Sequence, residues 1–303
     1  MIGKILEKIP YIRYAYWYRK NSSNRPGSYY SSVTDVDYVK ANEHLIWPDD
    51  PNDQWLNGIN INKEEQVKFL KSLKDLYDKL DLAQFDKPKG QVSGRYSFHN
   101  TWYTYADATL LYLMIMNFRP KRIIEVGSGH SSAMMLDINN TEFNNQLSLT
   151  FIDPNPQDRL LGLIRETDKK SAHIIPQMVQ HVDMASFTAL EENDILFIDN
   201  SHVSKIGSDV NHMFFEIFPR LKKGVIIHIH DIFNGFMYPK NWVYEIRNNW
   251  NEIFLCRAFL MYNTQFEILL FPDYLINKEP ELFNKDFPYL AKSRNQTIWL
   301  RKL

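Results

Sequence analysis

RIIEVGSGHSS, residues 122–132, decides how the chain is read. Arg122 to Val126 is largely apolar and β-branched, as a strand buried on both faces requires. Gly127, Ser128 and Gly129 follow at once, and a helix is expected over 131–138. Glycine lets a strand turn sharply and lets backbone approach a ligand, and a helix start offers unpaired N–H groups. The spacing departs from two phosphate-binding patterns. A dinucleotide fingerprint has a third glycine where this chain has Ser132, and a phosphate loop needs Gly-Lys-Ser/Thr. A tight strand–helix turn with no ligand is the plain alternative.

The alternation continues on both sides of this stretch. Upstream, a helix is expected over about 102–117, ended before Pro120. Downstream come the apolar runs LSLTFID (147–153), HIIP (173–176), DILFID (194–199) and VIIHIH (225–230). Helical segments over 157–166 and 208–218 separate them, the latter with Val210, Phe214 and Ile217 inward. Strands alternating with helices imply a parallel sheet covered on both faces. The tail predicts a long helix over about 241–262, a strand FEILLF (266–271), a loop with Pro272 and Pro280, and a last strand TIWLRKL (297–303). With no helix expected between these two strands, the last is expected to run antiparallel.

Polar residues stand where the strands end, and open parallel sheets bind ligands beyond those ends. Asp153 ends the second strand, where an acid accepts both ribose hydroxyls of a nucleoside, or else caps the next helix. Asp199 ends the fourth strand and His202 comes three residues later. His230 and Asp231 end the fifth, so Asp199, His230 and Asp231 are expected to converge. His228 lies deeper and reads as a core histidine bonded to a carbonyl or acid. Phe233, Phe236, Tyr238, Pro239 and Trp242 on one side, and Tyr96, His99, Trp102 and Tyr103 on the other, form either an acceptor wall or buried anchors.

The bulk numbers set bounds. The 303 residues suit one domain of about 200 residues with an extension. DKPKG (86–90) is the expected boundary, giving an N-terminal extension over 1–92 and a main domain over 93–303. A formal net charge of −1 gives no electrostatic case for nucleic acid. The single cysteine, Cys256, excludes an intramolecular disulfide and reads as a buried thiol. No apolar run reaches the roughly 20 residues that span a bilayer, and no signal-peptide pattern is seen, so the chain reads as cytoplasmic. Residues 1–20 interleave Lys4, Lys8, Arg13, Arg19 and Lys20 with Tyr and Trp, against Glu7. That suits a segment docked on its own domain, a homo-oligomer contact, or a weak membrane-surface contact. Residues 21–61 are expected to be mostly loop, and Asn62 to start a helix carrying Val67, Leu70, Leu73, Tyr77 and Leu80.

Glu125-Val-Gly127-Ser128-Gly129 followed by Asp153 resembles the first two motifs of class I S-adenosylmethionine-dependent methyltransferases. The likeness is closest to a bacterial branch grouped with cephalosporin-hydroxylase-like and catechol-type enzymes. It rests on YADATLLYLMIMNFRPKRIIEVGSGHSS, DILFIDNSHVSKIGSDVNHMFFEIFPRLKKGVIIHIHDIF and RAFLMYN, and covers about 95–303. The resemblance implies an α/β, Rossmann-like seven-stranded sheet, mostly parallel with an antiparallel last strand, behind a helical and loop extension. It implies S-adenosyl-L-methionine as cofactor, with Glu125, Gly127, Ser128 and Gly129 at its methionine end. Ser131 would reach its carboxylate, Asp153 its ribose, and Gln180 and Val182 its adenine. Catechol-type enzymes hold Mg²⁺ with an Asp ending the fourth strand and an Asp-Asn pair ending the fifth. Here the set is Asp199, His230 and Asp231, and imidazole shifts the preference from Mg toward Mn, Fe or Zn. Those enzymes place a basic lysine three residues after the first Asp, and His202 stands at that offset. The expected activity is O-methylation of a small-molecule acceptor such as a polyol, sugar or secondary metabolite. The rivals are a hydroxylase-like relative, a non-catalytic S-adenosylmethionine-binding or assembly protein, and a nicotinamide dehydrogenase, disfavoured by the missing third glycine.

Overall fold

The computed structural model describes residues 9–47 and 56–303. Lys4, Glu7 and Lys8 lie outside the described residues. The chain forms two compact units, Met1–Asp50 with Pro239–Asn249, and Pro51–Tyr238 with Trp250–Leu303.

The larger unit holds one seven-stranded sheet: β1 (Arg122–Val126), β2 (Ser148–Ile152), β3 (His173–Ile175), β4 (Ile195–Ile198), β5 (Ile226–His230), β6 (Phe266–Leu270) and β7 (Thr297–Lys302). Their order is β3-β2-β1-β4-β5-β7-β6. Strands β1 to β5 pair in parallel, and β7 runs antiparallel to both β5 and β6. The sheet class and the reversed last strand are as the sequence implies. All of β4 and β5 is buried, because helices cover both faces and no strand position faces water. The chain winds outward from β1 to β3, then returns to β4 beside β1. This reversal opens a crevice above the carboxyl ends of β1 and β4.

Helix Tyr105–Phe118 is buried from Ala106 to Ile115. It stops at Arg119, which takes a left-handed φ of 46° before Pro120. The segment leading into it is stapled down by charge. The Arg95 guanidinium bonds both oxygens of Asp168 (2.7 and 2.5 Å) and Oδ1 of Asp137 (2.8 Å). Asp137 Oδ2 also accepts the backbone N–H of Arg95 and Tyr96. Helix Lys63–Ser72 packs beside β6, where Gln66 Oε1 accepts the Phe271 N–H at 2.7 Å.

Several expectations of local structure are corrected. The segment 157–166 holds only two tight turns, Pro156–Asp158 and Leu160–Gly162; Gly162, a poor helix former, lies in its middle. The expected helix over 241–262 is two pieces, Trp242–Ile246 and Glu252–Leu260, broken where Arg247 takes φ 62°. The stretch between β6 and β7 holds three helices, Pro272–Lys278, Pro280–Asp286 and Pro288–Ala291. Each opens on a proline, which is tolerated at the first helical position because its missing N–H would be unpaired there anyway.

In the smaller unit, Pro10–Asn21, Val36–Ala41 and Glu43–Ile46 are helical, although 21–61 reads as loop. Asp35 caps the second of these, its Oδ1 accepting from Asp37 and Tyr38 at 3.1 Å. Glu43 meets Lys240 and the Tyr244 hydroxyl. Tyr14 and Trp17 are exposed on the first helix, with Lys20 over the Trp17 ring. Among the described residues no helix is long and apolar enough to cross a membrane.

Candidate active site

Glycine at 127 is demanded by geometry. Its φ is 85°, and a Cβ there would sit 1.7 Å from the carbonyl oxygen of Asp199. The ladder supports this close approach, since Asp199 N–H donates to Val126 O at 2.8 Å and Gly127 N–H to Ile152 O at 2.9 Å. Gly127 is thus wedged where β1, β2 and β4 end. Gly129 leaves room for Arg159, whose Cδ would lie 2.7 Å from a Cβ added there. The Arg159 guanidinium stacks over the exposed Trp102 ring at 4.5 Å.

Glu125 is fully buried at the end of β1 and takes the hydroxyls of Ser131 (2.5 Å) and Ser132. Burial pushes its carboxyl up to about 8, against the pull of both serines. Ser132 also accepts the Gly129 N–H at 2.9 Å, so the three side chains brace the turn from inside. Ser131 is 2% exposed with its hydroxyl on Glu125. In this arrangement it does not offer a free hydroxyl to a ligand. Ser128 donates to Asp153 Oδ2 through its N–H (3.1 Å) and its hydroxyl (2.8 Å), which ties the glycine turn to the end of β2. Gln180 donates to Gly207 O at 2.8 Å, and Val182 follows half-buried.

Asp199, His230 and Asp231 do come together. One ligand-capable atom from each lies within 4.8 Å of the others. His202 stands among them: its Nε2 is 3.3 Å from both Asp199 Oδ1 and Asp231 Oδ2. On its other side Nδ1 bonds Glu252 Oε2 at 2.8 Å. His202 and Asp231 both have a left-handed φ of 57°, a conformation costly for residues other than glycine and typical of functional positions.

Charge divides unevenly across this cluster. Burial opposes a charge on His202, but the hydrogen bonds to Asp199 and Glu252 outweigh it and hold the imidazole well above its ordinary range. Three acids, Asp199, Asp231 and Glu252, surround the ring. Asp199, still 26% exposed, is drawn down to about 2 by His230 and His202 despite its desolvation. Asp231 is buried more deeply, and that raises it.

Glu252 is absent from the sequence reading. It opens helix Glu252–Leu260, and the N–H groups of Asn251 and Glu252 both donate to the His202 carbonyl, at 3.0 and 3.1 Å. The signal that could have found it is NNWNE (248–252), a cluster of helix-capping asparagines ahead of an acid in the first turn.

The remaining candidates separate. Among the described residues no side chain hydrogen-bonds either ring nitrogen of His228; its ring stacks on Phe197 at 3.8 Å and meets the edge of Trp299 at 4.7 Å. Burial keeps it neutral, well below the usual range. Phe233, Phe236 and Tyr238 are buried anchors, as are Tyr96 and Tyr103. His99 bonds Asp86 at 3.0 Å, away from the cluster. Cys256 is buried, and burial raises its thiol.

A model of the methyltransferase domain matches residues 124–232, which run from inside β1 to just past β5. An uncharacterized protein of Archaeoglobus fulgidus is 33% identical over 171 residues, 56% of this chain and 75% of that protein. Among solved structures, the SAH-bound methyltransferase PaMTH1 of Podospora anserina is 15% identical, with 93% of this chain and 99% of that one covered at a TM-score of 0.43. Coclaurine N-methyltransferase, bound to N-methylheliamine and SAH, is 10% identical, with 88% and 94% covered at a TM-score of 0.37. The matched stretch contains every residue of the glycine turn and of the acid–imidazole cluster except Glu252, so it is over residues 124–232, the part of the sheet that carries the candidate site, that this chain is similar to a methyltransferase domain.

Proposed function

We propose that the protein methylates a hydroxyl of a small polyol, sugar or secondary metabolite, using S-adenosylmethionine and a divalent ion. The observation that carries this is the contact of Gly127 with the Asp199 carbonyl. It sets a glycine turn and an acid suited to a nucleoside directly beside an acid–imidazole cluster suited to a hydroxyl. S-adenosylmethionine would supply an electrophilic methyl carbon on a sulfonium.

The residues present fit both groups. Gly129 leaves the space that Arg159 fills beside the turn, and Asp153, half-exposed at the end of β2, is suited to ribose hydroxyls. Arg159, with no carboxylate partner among the described residues, is placed to receive the cofactor's amino-acid carboxylate. Asp199, His230 and Asp231 offer two oxygens and one nitrogen, a donor set suited to Mn²⁺ or Fe²⁺. A divalent ion there would lower the pKa of a bound hydroxyl. His202 Nε2 faces the same two aspartates, so it competes with the ion for them. With an ion neutralising those aspartates, the imidazolium would give up its Nε2 proton to solvent, and the neutral Nε2 would be the atom to take the acceptor's proton, with Glu252 holding Nδ1. Oxygen, methyl carbon and sulfur must then align; the C–O bond forms as the C–S bond breaks.

Calorimetry with S-adenosylhomocysteine tests the cofactor half. Asp153→Ala should weaken binding about 10- to 100-fold, the worth of one or two charge-assisted hydrogen bonds. Undiminished binding would sink the assignment. Arg159→Leu makes a sharper demand: S-adenosylhomocysteine should bind more weakly, while 5′-methylthioadenosine, which has no carboxylate, binds as to wild type. Methyl transfer to a panel of hydroxyl acceptors should stop with chelator and in Asp199→Asn. Activity indifferent to both would remove the ion.

A further inference from the structure

His230 presents Nε2 to the cluster, 3.7 Å from Asp231 Oδ1. Its other nitrogen, Nδ1, is buried and has no hydrogen-bond partner among the described residues. A second orphan is the carboxylate of Asp107, in the first turn of helix Tyr105–Phe118 and 1% exposed. Asp107 Oδ1 accepts the Gln296 N–H at 2.9 Å, whereas Oδ2 is buried with no partner.

These two groups are held as neighbours. Gln296 directly precedes Thr297, which is the cross-strand partner of His230. Residues so paired stand about 4.5–5.5 Å apart, so the Asp107 carboxylate is anchored one residue from His230's partner. Tyr103 closes the arrangement from the helix side. Its ring lies 5.4 Å from the His230 ring, and its hydroxyl donates to the Asp107 carbonyl at 3.1 Å. An ionised carboxylate only accepts hydrogen bonds, and a neutral imidazole has one nitrogen that donates and one that accepts. Buried polar groups are rarely left unpaired, and a single enclosed water commonly joins two of them.

We propose that Asp107 is the positioning residue of the metal site: it takes the proton-bearing Nδ1 of His230, directly or through one water, and so fixes the tautomer that leaves the Nε2 lone pair for the ion. A histidine ligand backed by a carboxylate on its far nitrogen is oriented and made more basic, and losing the backing group weakens metal binding about 10- to 100-fold. The inference rests on the ion proposed for Asp199, His230 and Asp231.

Mn²⁺ binding, followed by the electron-spin resonance of the free ion, tests it in the full chain. Asp107→Asn should lose about 10- to 100-fold in affinity. Added to His230→Ala, it should cost nothing more, since a residue acting through His230 has no effect once that ring is gone. A merely structural role would weaken both backgrounds alike. Should Asp107→Asn not fold, Asp107→Ser is put through the same cycle. Wild-type affinity in the Asp107 variant, or losses that multiply in the double variant, overturn the inference alone. Mn²⁺ binding that is equally weak in wild type and Asp199→Asn overturns the ion site, and the inference with it.

Discussion

Arg95→Leu is expected to lower the unfolding free energy by about 3–5 kcal/mol, the cost of breaking a buried ion pair from one side. The substitution leaves two carboxylates behind. Asp137 and Asp168 are 5% and 4% exposed, and Arg95 is the cation paired with both. Their remaining hydrogen-bond partners among the described residues are backbone N–H groups, and Arg165 draws on Asp168 without pairing with it. For a unit of this size the loss corresponds to a fall in melting temperature of ~6–20 °C. Urea titration and calorimetry would read it; a change below about 1 kcal/mol would show the triad to be well solvated, contrary to its burial. The pH dependence has a definite sign. Burial would raise Asp168, but Arg95 outweighs that and holds it below the usual carboxylate range. The stabilisation is therefore complete above its unfolded value of about 3.9 and is lost as pH falls through the folded one. The variant should show less of this acid sensitivity than wild type.

Gly127→Ala is the second large effect, and it should strike both halves of the site together. An L-residue at φ 85° is strained in any surroundings, and here the new Cβ would lie 1.7 Å from the Asp199 carbonyl oxygen. That atom is backbone at the end of β4 and cannot swing aside as a side chain would. Left-handed backbone costs roughly 1–2 kcal/mol and overpacking about 1–3 more, so a loss of ~3 kcal/mol in stability is expected. Relief requires β1 and β4 to part where Asp199 begins. Calorimetry should then find S-adenosylhomocysteine and Mn²⁺ both bound more weakly, although position 127 contributes no side chain to either. A variant as stable as wild type that loses only the cofactor would show the glycine to serve the ligand and not the strand junction.

The sheet was legible in the sequence because its strands are continuous apolar runs, and a strand buried on both faces has no alternative environment. The polar ends were legible for the complementary reason. Asp153, Asp199, His230 and Asp231 interrupt such runs where only a crevice can receive them. Pairings distant in sequence were not legible. His202 meets Glu252 50 residues later, and neither residue's local pattern names the other. Nor did the sequence reveal that Ser131 turns inward to Glu125, since a serine in a first helical turn faces either way until the strand beneath it is placed. The helices of 272–291 were missed because a proline that ends one helix and a proline that starts the next look alike in a single sequence.

The reversal of the chain between β1 and β4 divides the labour of the crevice. What is suited to a nucleoside comes from β1 and β2; what is suited to an acceptor comes from β4, β5 and the helix that begins at Glu252. The two sets share no side chain; the β1–β4 ladder and the close approach at Gly127 join them through backbone. On the proposed reading, variation at residues 199–202 and 230–231 rewrites the acceptor chemistry while the nucleoside half stays as it is. A scaffold divided in this way is free to change its substrate without having to reinvent its methyl donor.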